Sequence, residues 1–391
     1  MNAAGSGMPP AGVVGKRDVY LLFFGSLLFQ IVQIGCYPIL IAQSLVRDGY
    51  SSYVVGLFTS ISWITIVILG PVVPAVISRI GYRSTSIAAF LSAMLGLYLL
   101  VVAPDLYGYF ASAVLMGFGL ILRWINCDTL VVEMSESGSR GRLIGLHEAL
   151  MGLGIALGPL LFVLSDLYYV AWTSIALLVV AQLVFQLTDM GRVPHHRAGG
   201  GGRIPVSLYL LIAVALAAAF VAGFVESSAI ALLPLHFASF GYPLASSAIL
   251  VSAFGFGGTL LQPPLGYLSD RMGYNFAQAL CAASVAFSCI VVATAPLNLP
   301  VMLLTLFVLG AGAGGLNTLA VIEAGQTLEG PDIPASMTAI AMLYTLGGVF
   351  GPVASASVLH MAGNRGMIAL FFAICVLLFV GIVAKRRKAP T

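Results

Sequence analysis

Long apolar runs separated by short polar breaks fill the chain from residue 18 to residue 384. Each run has about 20 residues or more, the length that a helix needs to cross the hydrocarbon core of a bilayer. A membrane barrel would instead show segments of about ten residues with alternating hydrophobicity. The pattern therefore predicts an all-α membrane protein whose twelve transmembrane helices lie at residues 18–44, 53–78, 85–103, 107–133, 142–165, 167–188, 206–236, 244–268, 275–295, 299–324, 334–360 and 364–384.

The polar breaks of the first half return in the second half at a nearly constant offset. The offset is 192 residues, close to half of the 391-residue chain. The matching pairs are Arg79 and Arg271, Gly81 and Gly273, Tyr82 and Tyr274, and Gly49 and Gly241. This tandem repeat predicts two six-helix bundles related by a pseudo-twofold axis, at residues 1–188 and 206–391, joined by a Gly-rich linker at 189–205.

The distribution of basic residues predicts the orientation in the membrane. The chain is 60% hydrophobic and 8% charged, and it has 17 Lys and Arg residues. Fourteen of them fall in the termini and in loops on the same predicted side, whereas Arg47 and Arg365 fall on the other side. The positive-inside rule then places both termini and the 189–205 linker in the cytoplasm. Because these charges are spread over short loops, the net charge of +3 does not indicate a nucleic-acid partner.

The sequence carries no complete motif for an enzyme, a metal or a cofactor. His147-Glu148 resembles the start of the zinc motif H-E-x-x-H, but residue 151 is Met. His195-His196 lies in the linker, where we interpret it as a solvated segment. There is no nucleophile elbow and no phosphate-binding loop, and all five cysteines lie inside apolar runs without a C-x-x-C pair. These features argue against an enzyme and predict free thiols and no cofactor.

Polar side chains inside the first-half spans are the first candidate site residues. Gln30 and Gln33 share one face of the first helix. Arg123 in the fourth span needs a partner, because a charge at that depth is unfavourable by a few kcal/mol even on lenient scales. Glu148 at a similar depth in the fifth span is the predicted partner, and Asn126 shares a helix face with Arg123. These groups either line a cavity or join helices by hydrogen bonds.

The second-half spans contribute a second set of candidates. Glu226 lies deep in the seventh span, where a carboxyl can exchange a proton as its surroundings change, or can serve as a hydrogen-bonded structural group. Asn317 in the tenth span matches Asn126 in the repeat, and Trp63, Gln262 and Tyr344 are further candidates for stacking or hydrogen bonding.

The chain resembles the major facilitator superfamily over essentially its whole length, and several of its motifs carry the resemblance. The loop Gly266-Tyr-Leu-Ser-Asp270-Arg271-Met-Gly273-Tyr274 is similar to the family's loop signature. The resemblance implies a gating loop in each half, made of Ser78 and Arg79 in the first copy and Asp270 and Arg271 in the second. In the family, the signature Asp pairs with cations and a helix N-terminus to favour closure of the cytoplasmic side. The first copy has Ser78 in its place.

Other motifs extend this resemblance. Arg123-x-x-Asn126 is similar to the family's helix 4 motif, and Gly154-x-x-x-Gly158-Pro159 resembles its helix 5 motif, which is associated with exporters. The second motif recurs as Gly347-x-x-x-Gly351-Pro352, so it can also serve close helix packing. Residues 223–274 and 140–149 resemble the bacterial YcaD-type branch, which implies the bacterial cytoplasmic membrane.

The combined pattern predicts a monomeric secondary active transporter. It would move a small organic solute, coupled to protons, by alternating access in a lipid bilayer. A drug-type proton antiporter that exports amphipathic compounds and a passive facilitator are alternatives within transport. A non-transporting receptor or scaffold is the alternative from another class, but the chain has no sizeable soluble module or long loop for a partner.

Overall fold

The computed structural model describes residues 16–134, 140–189, 210–294, 298–327 and 332–388. These residues form helices and short turns, and no strand occurs among them. The prediction of an all-α protein is therefore confirmed for the described part of the chain. The five cysteines are buried in the helices as free thiols.

Fourteen α-helices follow one another along the described residues. They are α1 Lys16–Gln30, α2 Tyr37–Arg47, α3 Ser52–Leu69, α4 Val73–Val102, α5 Leu106–Glu133, α6 Arg140–Leu157, α7 Leu161–Leu164, α8 Leu167–Gln186, α9 Ala213–Ala238, α10 Leu244–Leu260, α11 Gln262–Met272, α12 Tyr274–Thr294, α13 Leu299–Thr327 and α14 Asp332–Lys388. A π-helical segment, Ile31–Cys36, joins α1 to α2 without a break. Short 3-10 turns continue α3 at Gly70–Val72 and α6 at Gly158–Leu160.

Nine helical stretches in the described residues are long and apolar enough to cross a membrane, or ten if the bent pair α10 and α11 is one span. This number differs from the predicted twelve for two structural reasons. The predicted spans at 334–360 and 364–384 run together in α14, which bends at Gly363. The predicted span at 142–165 is represented by a shorter apolar helix, Ala149–Leu164. The structure thus supports a polytopic membrane protein, and the twelve-span arrangement stays a prediction.

Glycines that match in the sequence repeat also match in backbone conformation. Gly49 and Gly241 have φ of 84° and 86°, in the left-handed region that favours glycine. Each ends a helix in a Schellman motif, since Tyr50 N–H donates to Leu45 O at 3.0 Å and Tyr242 N–H donates to Phe237 O at 3.2 Å. Both copies of the repeat therefore stop a helix by the same hydrogen bonds.

The second matched pair lies in the two loop sequences that define the repeat. Gly81 and Gly273 have φ of 81° and 83°, and each interrupts a helical path directly after the basic loop residues. A side chain at either position would be strained, because L-residues rarely adopt this conformation. The 192-residue offset is therefore visible as repeated local geometry as well as repeated sequence.

The two glycine-proline motifs bring helices into close backbone contact. A Cβ atom at Gly158 would lie 2.3 Å from the backbone of Gly35. In the second half, a Cβ atom at Gly351 would lie 2.5 Å from the carbonyl oxygen of Phe224. Both motifs thus serve the close packing that small residues permit between membrane helices.

Polar contacts identify which helix ends lie together. On one side, Asp189 N–H donates to Asp18 Oδ1 at 3.2 Å, which places the end of α8 beside the start of α1. We call this the terminus side, because α1 begins and α14 ends there. At the other ends of the helices, the Tyr109 hydroxyl hydrogen-bonds the Asp48 carboxylate, joining the loop after α2 to the start of α5. We call that end the distal side.

Candidate functional site

The first polar cluster centres on Arg123 of α5, whose side chain is only 4% exposed. Its Nε donates to Gln33 Oε1 at 2.7 Å, and its Nη2 donates to Gln30 Oε1 at 2.7 Å. Its Nη1 lies 3.8 Å from the sulfur of Met151 on α6. The planar guanidinium thus connects three helical segments, which a point charge such as a lysine ammonium cannot do in the same way.

The π-helical segment Ile31–Cys36 lies beside both glutamines and contains Gln33. A π segment closes hydrogen bonds over five residues and so changes the register of the side chains that follow it. Gln30 directly precedes the segment and Gln33 lies inside it, and both approach Arg123. Tyr37, at the start of α2, turns to Ser112 of α5, with 2.9 Å between the two hydroxyl oxygens.

The remaining first-half candidates have different surroundings. Asn126 is fully buried, and its Nδ2 donates to the backbone oxygen of Tyr82 at 3.2 Å, so the structure places its amide donor against α4 and not against the two glutamines. The side chain of Glu148 lies outside the described part of the structure. One residue earlier, His147 Nδ1 lies 3.8 Å from Asp128 Oδ1 and connects α6 to α5.

The second polar cluster connects Glu226 of α9 to the first half of the chain. The Glu226 carboxyl interacts with the Tyr344 side chain of α14. The Tyr344 ring meets the Trp63 ring of α3 edge to face, with centroids 6.4 Å apart. Trp63 fits against Gly348, where an added Cβ atom would lie 2.9 Å from the indole. A carboxyl on α9 is thus linked through two aromatic rings to α3.

A small cavity lies beside Glu226, where α6, α9, α10 and α13 meet. Its volume is about 50 Å³, and five of its ten lining residues are glycines. Gln262 and Thr259 line it together with Glu226 and Gly152. Gly152 follows Met151, which contacts Arg123. Both polar clusters therefore contact α6, through Met151 and Gly152.

The gating-loop residues and Asn317 lie apart from these clusters. Arg79, Asp270 and Arg271 are exposed, and the Arg271 guanidinium lies 4.7 Å from the centroid of the Tyr267 ring. Within the described residues, Asp270 forms no ion pair. The side chain of Ser78 lies outside the described part. Asn317 is half-buried on α13.

Close contacts join residues 16–189 to residues 210–388. Gly56 of α3 contacts Ala356 of α14, and a Cβ atom at Gly255 of α10 would lie 2.7 Å from the backbone of Ala156 of α6. Ala341, two turns before Gly348 along α14, is exposed.

One buried charge pair was not part of the predicted site. Glu323 of α13 is fully buried, and its Oε1 lies 2.5 Å from Lys385 Nζ. Its Oε2 accepts a hydrogen bond from Gln278 Nε2 at 2.8 Å. Sequence reasoning used Lys385 only as a topology signal. The available clue was that Glu323, Gln278 and Lys385 all lie near the same predicted end of neighbouring helices.

Two sequence-related halves with polar clusters inside their apolar helices are typical of solute transporters. The family model for the Major Facilitator Superfamily matches residues 22–320 and 215–391, so the chain belongs to this superfamily and is a transporter. This confirms the resemblance found in the sequence.

Comparison with individual proteins agrees with this assignment. The chain is 28% identical over 388 residues to a protein from Escherichia coli O139:H28 described as the uncharacterized MFS-type transporter YcaD, and the match covers 95% of this chain and 96% of that protein. A Shigella flexneri protein of the same description gives the same values. Among solved structures, the nucleoside transporter NupG matches with a TM-score of 0.77 at 13% identity, covering 96% of this chain and 100% of that one. The human organic anion transporter MFSD10 matches with a TM-score of 0.68 at 15% identity, covering 96% of this chain and 100% of that one.

Proposed function

We propose that the protein is a secondary active transporter that moves a small organic solute by alternating access and couples this movement to protons. In this proposal, twelve spans form two six-helix bundles, residues 1–188 and 206–391, and residues 189–205 link them. The observation that carries the proposal is the pair of polar clusters inside the helices, buried around Arg123 in one half and half-buried around Glu226 in the other, both of which contact α6. Groups of this kind inside membrane helices are a mark of solute and proton pathways.

In alternating access, the two parts of the chain would move against each other at the contacts of Gly56, Gly255 and Gly348, which join them in this structure. In one of the two states, the terminus side would close and the gating loops would come together. Asp270 is exposed in this structure and therefore available for such a contact.

Proton coupling is assigned to Glu226. Its carboxyl is inside a span and beside a small cavity that also contacts Gln262 and Thr259. A charged carboxylate is unfavourable there unless paired, and a protonated one can remain. Glu226 interacts with Tyr344, and the Tyr344 ring packs on Trp63. Protonation of Glu226 would therefore change the packing between α14 and α3.

The polar groups favour a neutral or weakly cationic solute. Two glutamine oxygens already accept hydrogen bonds from Arg123, so the guanidinium is less available to a dianion than an unbonded arginine would be. Gln33 Nε2 is buried and has no hydrogen-bond partner among the described residues, which leaves one donor for a carbonyl or hydroxyl of the solute. The structures of NupG and MFSD10 are only 13% and 15% identical to this chain, so they support its fold and do not indicate its solute.

The orientation and the assembly state complete the proposal. The terminus side carries most of the basic loop residues, and we therefore place it in the cytoplasm of a bacterial cell, with the protein in the inner membrane as a monomer.

The test begins with a thermal-shift screen of metabolites and drugs, which supplies a solute that binds the purified protein. In liposomes with an imposed proton gradient, Glu226→Gln should abolish accumulation of that solute, because the amide cannot exchange a proton. Solute counterflow without a gradient should persist. Radiolabelled uptake and a pH-sensitive dye measure the two fluxes.

Asp105→Asn is the matched control. Asp105 lies on the distal side and accepts a hydrogen bond from Gly108 N–H at 2.7 Å, a role that an amide oxygen can also fill. Undiminished accumulation in Glu226→Gln would remove this residue from the proton path. Equal flux of the unchanged protein with and without a gradient would support the passive facilitator instead.

The glycine-proline motifs do not favour the exporter alternative. Both copies make close backbone contacts within their own halves, with Gly35 and with Phe224, so packing accounts for them. An import-or-export assignment therefore depends on the direction of flux measured in the liposome experiment.

A further inference from the structure

The small cavity beside Glu226 lies at a bend between α10 and α11. The two helices are bent by 42° relative to each other, and α10 ends at Leu260 while α11 begins at Gln262. Residues from both sides of the bend line the cavity, Thr259 before it and Gln262 after it. A carboxyl, a hydroxyl and an amide therefore border one space of about 50 Å³.

Two prolines directly after the bend free backbone oxygens in the same place. Pro263 and Pro264 have no N–H group, so neither can donate to the carbonyl oxygen four residues earlier. Those oxygens belong to Thr259 and Leu260, and Thr259 lines the cavity. Carbonyl oxygens at a break in a membrane helix are typical ligands of monovalent cations.

The Thr259 hydroxyl is arranged as an acceptor. Its Oγ1 donates to Gly255 O at 3.0 Å, which uses its single proton and leaves the oxygen lone pairs. A Cβ atom at Gly152 would lie 2.3 Å from the same Oγ1, so the hydroxyl lies against the part of α6 that lines the cavity. An oxygen in this state can bind a cation.

The charge at the cavity calls for a cation with one positive charge. Glu226 is the one ionisable side chain among the ten lining residues, and a carboxylate inside a span is unfavourable without a partner. Tyr344, which interacts with it, carries no positive charge. Arg123 contacts Met151, next to Gly152, but two of its nitrogens already donate to glutamine oxygens. A divalent ion would leave one positive charge uncompensated by the lining residues.

The walls of the cavity favour a small ion. Beside it, α10 and α13 are in backbone contact, since a Cβ atom at Gly310 would lie 1.8 Å from Phe254 O. A Cβ atom at Gly314 would lie 2.9 Å from Gly258 O. Because backbone atoms cannot rotate away as side chains can, the cavity cannot widen easily around a larger ion such as K⁺.

We propose that this cavity binds one Na⁺ ion. The Glu226 carboxylate supplies the negative charge, and the side chains of Thr259 and Gln262 supply neutral oxygens, with the freed Thr259 carbonyl as a backbone ligand. Na⁺ and a proton exclude each other at this carboxyl. A role of Na⁺ in coupling rests on the function proposed above, whereas its binding does not.

The test uses the purified full-length protein in detergent and a mildly alkaline buffer, without solute. The melting temperature is measured in NaCl, KCl or choline chloride at equal ionic strength, and binding is measured with radiolabelled Na⁺. NaCl should raise the melting temperature, because a ligand that binds the folded protein stabilises it. One Na⁺ per chain should be retained, and KCl should behave like choline chloride.

Variants of the oxygen-bearing side chains locate the ion. Glu226→Gln should abolish Na⁺ binding, because it removes the charge. Thr259→Val removes the hydroxyl and should weaken Na⁺ binding about tenfold, whereas Thr259→Ser keeps the hydroxyl and should retain it. Thr305→Val is the matched control, since Thr305 Oγ1 donates to Val301 O at 2.7 Å in the same manner but lies outside the cavity lining.

Three results would overturn the proposal. Equal melting temperatures in NaCl and choline chloride would leave a cavity for water, and would not affect proton coupling, which is measured by solute accumulation in liposomes. Equal stabilisation by Na⁺ and K⁺ would contradict a site fitted to Na⁺. Na⁺ binding that persists in Glu226→Gln and disappears in Glu148→Gln would place the ion at another carboxyl.

One further result separates this proposal from the proposed function. Na⁺ binding that is lost in Glu226→Gln, together with solute flux that does not respond to a proton gradient, would support the cation site and contradict proton coupling.

Discussion

Replacing Arg123 with alanine should leave little folded protein in the membrane and no solute transport in what remains. The side chain is 4% exposed and donates to two glutamine oxygens at 2.7 Å. Hydrogen bonds to a charged group contribute about 1.5–3 kcal/mol each. Losing both should therefore lower the free energy of unfolding by about 3 kcal/mol or more, measured by thermal melting of the purified protein.

Arg83→Ala is the matched control for Arg123→Ala. Arg83 is exposed and donates one hydrogen bond to the backbone oxygen of Gln186 at 2.8 Å, so its loss should have little effect. A double-mutant cycle of Arg123→Met with Gln33→Leu should show a coupling of about 1–3 kcal/mol. Additive losses would mean that the contact between Arg123 and Gln33 contributes nothing. The same cycle with Glu148→Gln tests the pairing predicted from the sequence.

Gly158→Leu should have a comparably large effect, through backbone packing instead of charge. A Cβ atom at Gly158 would lie 2.3 Å and 2.4 Å from backbone atoms of Gly35 and 2.5 Å from the carbonyl oxygen of Ile31. Backbone atoms cannot rotate away as a side chain can, so the π-helical segment and α6 must separate. Overpacking typically costs about 1–3 kcal/mol, and we expect the upper end here because the clash is with backbone atoms. Melting temperature and the yield of monodisperse protein are the measurements.

Gly266→Leu provides the comparison for Gly158→Leu. Gly266 lies in α11, and no heavy atom lies within 4 Å of an added Cβ atom. The leucine should therefore be tolerated there. If Gly158→Leu melted at the same temperature as Gly266→Leu, the contact between Gly35 and Gly158 would not be tight in the folded protein.

The positions of the helices could be predicted from the sequence because hydropathy depends mainly on local composition. The predicted spans 107–133 and 167–188 correspond to α5, Leu106–Glu133, and α8, Leu167–Gln186. The helix ends at Gly49 and Gly241 were likewise marked by the repeat. Such features need no knowledge of how one helix is rotated against another.

The partners inside the polar clusters could be predicted only in part. Gln30, Gln33 and the buried Arg123 were expected to face a cavity or a partner, but nothing in the spacing indicated that they would bind each other. Gln33 makes its contact from inside the π-helical segment, whose register change has no clear sequence signal. The fit of Trp63 against Gly348 depends on the approach of the two halves, which a single sequence does not contain.

The ion pair between Glu323 and Lys385 sets a limit on how far the carboxyl-terminal tail can be trimmed. Lys385 provides the ammonium for a fully buried carboxylate that also binds Gln278. A stop codon after residue 388 would preserve this contact. A stop codon before residue 385 would leave the buried Glu323 carboxylate without its cationic partner. Affinity tags and fluorescent fusions should therefore be attached beyond Lys388, with the whole helix retained.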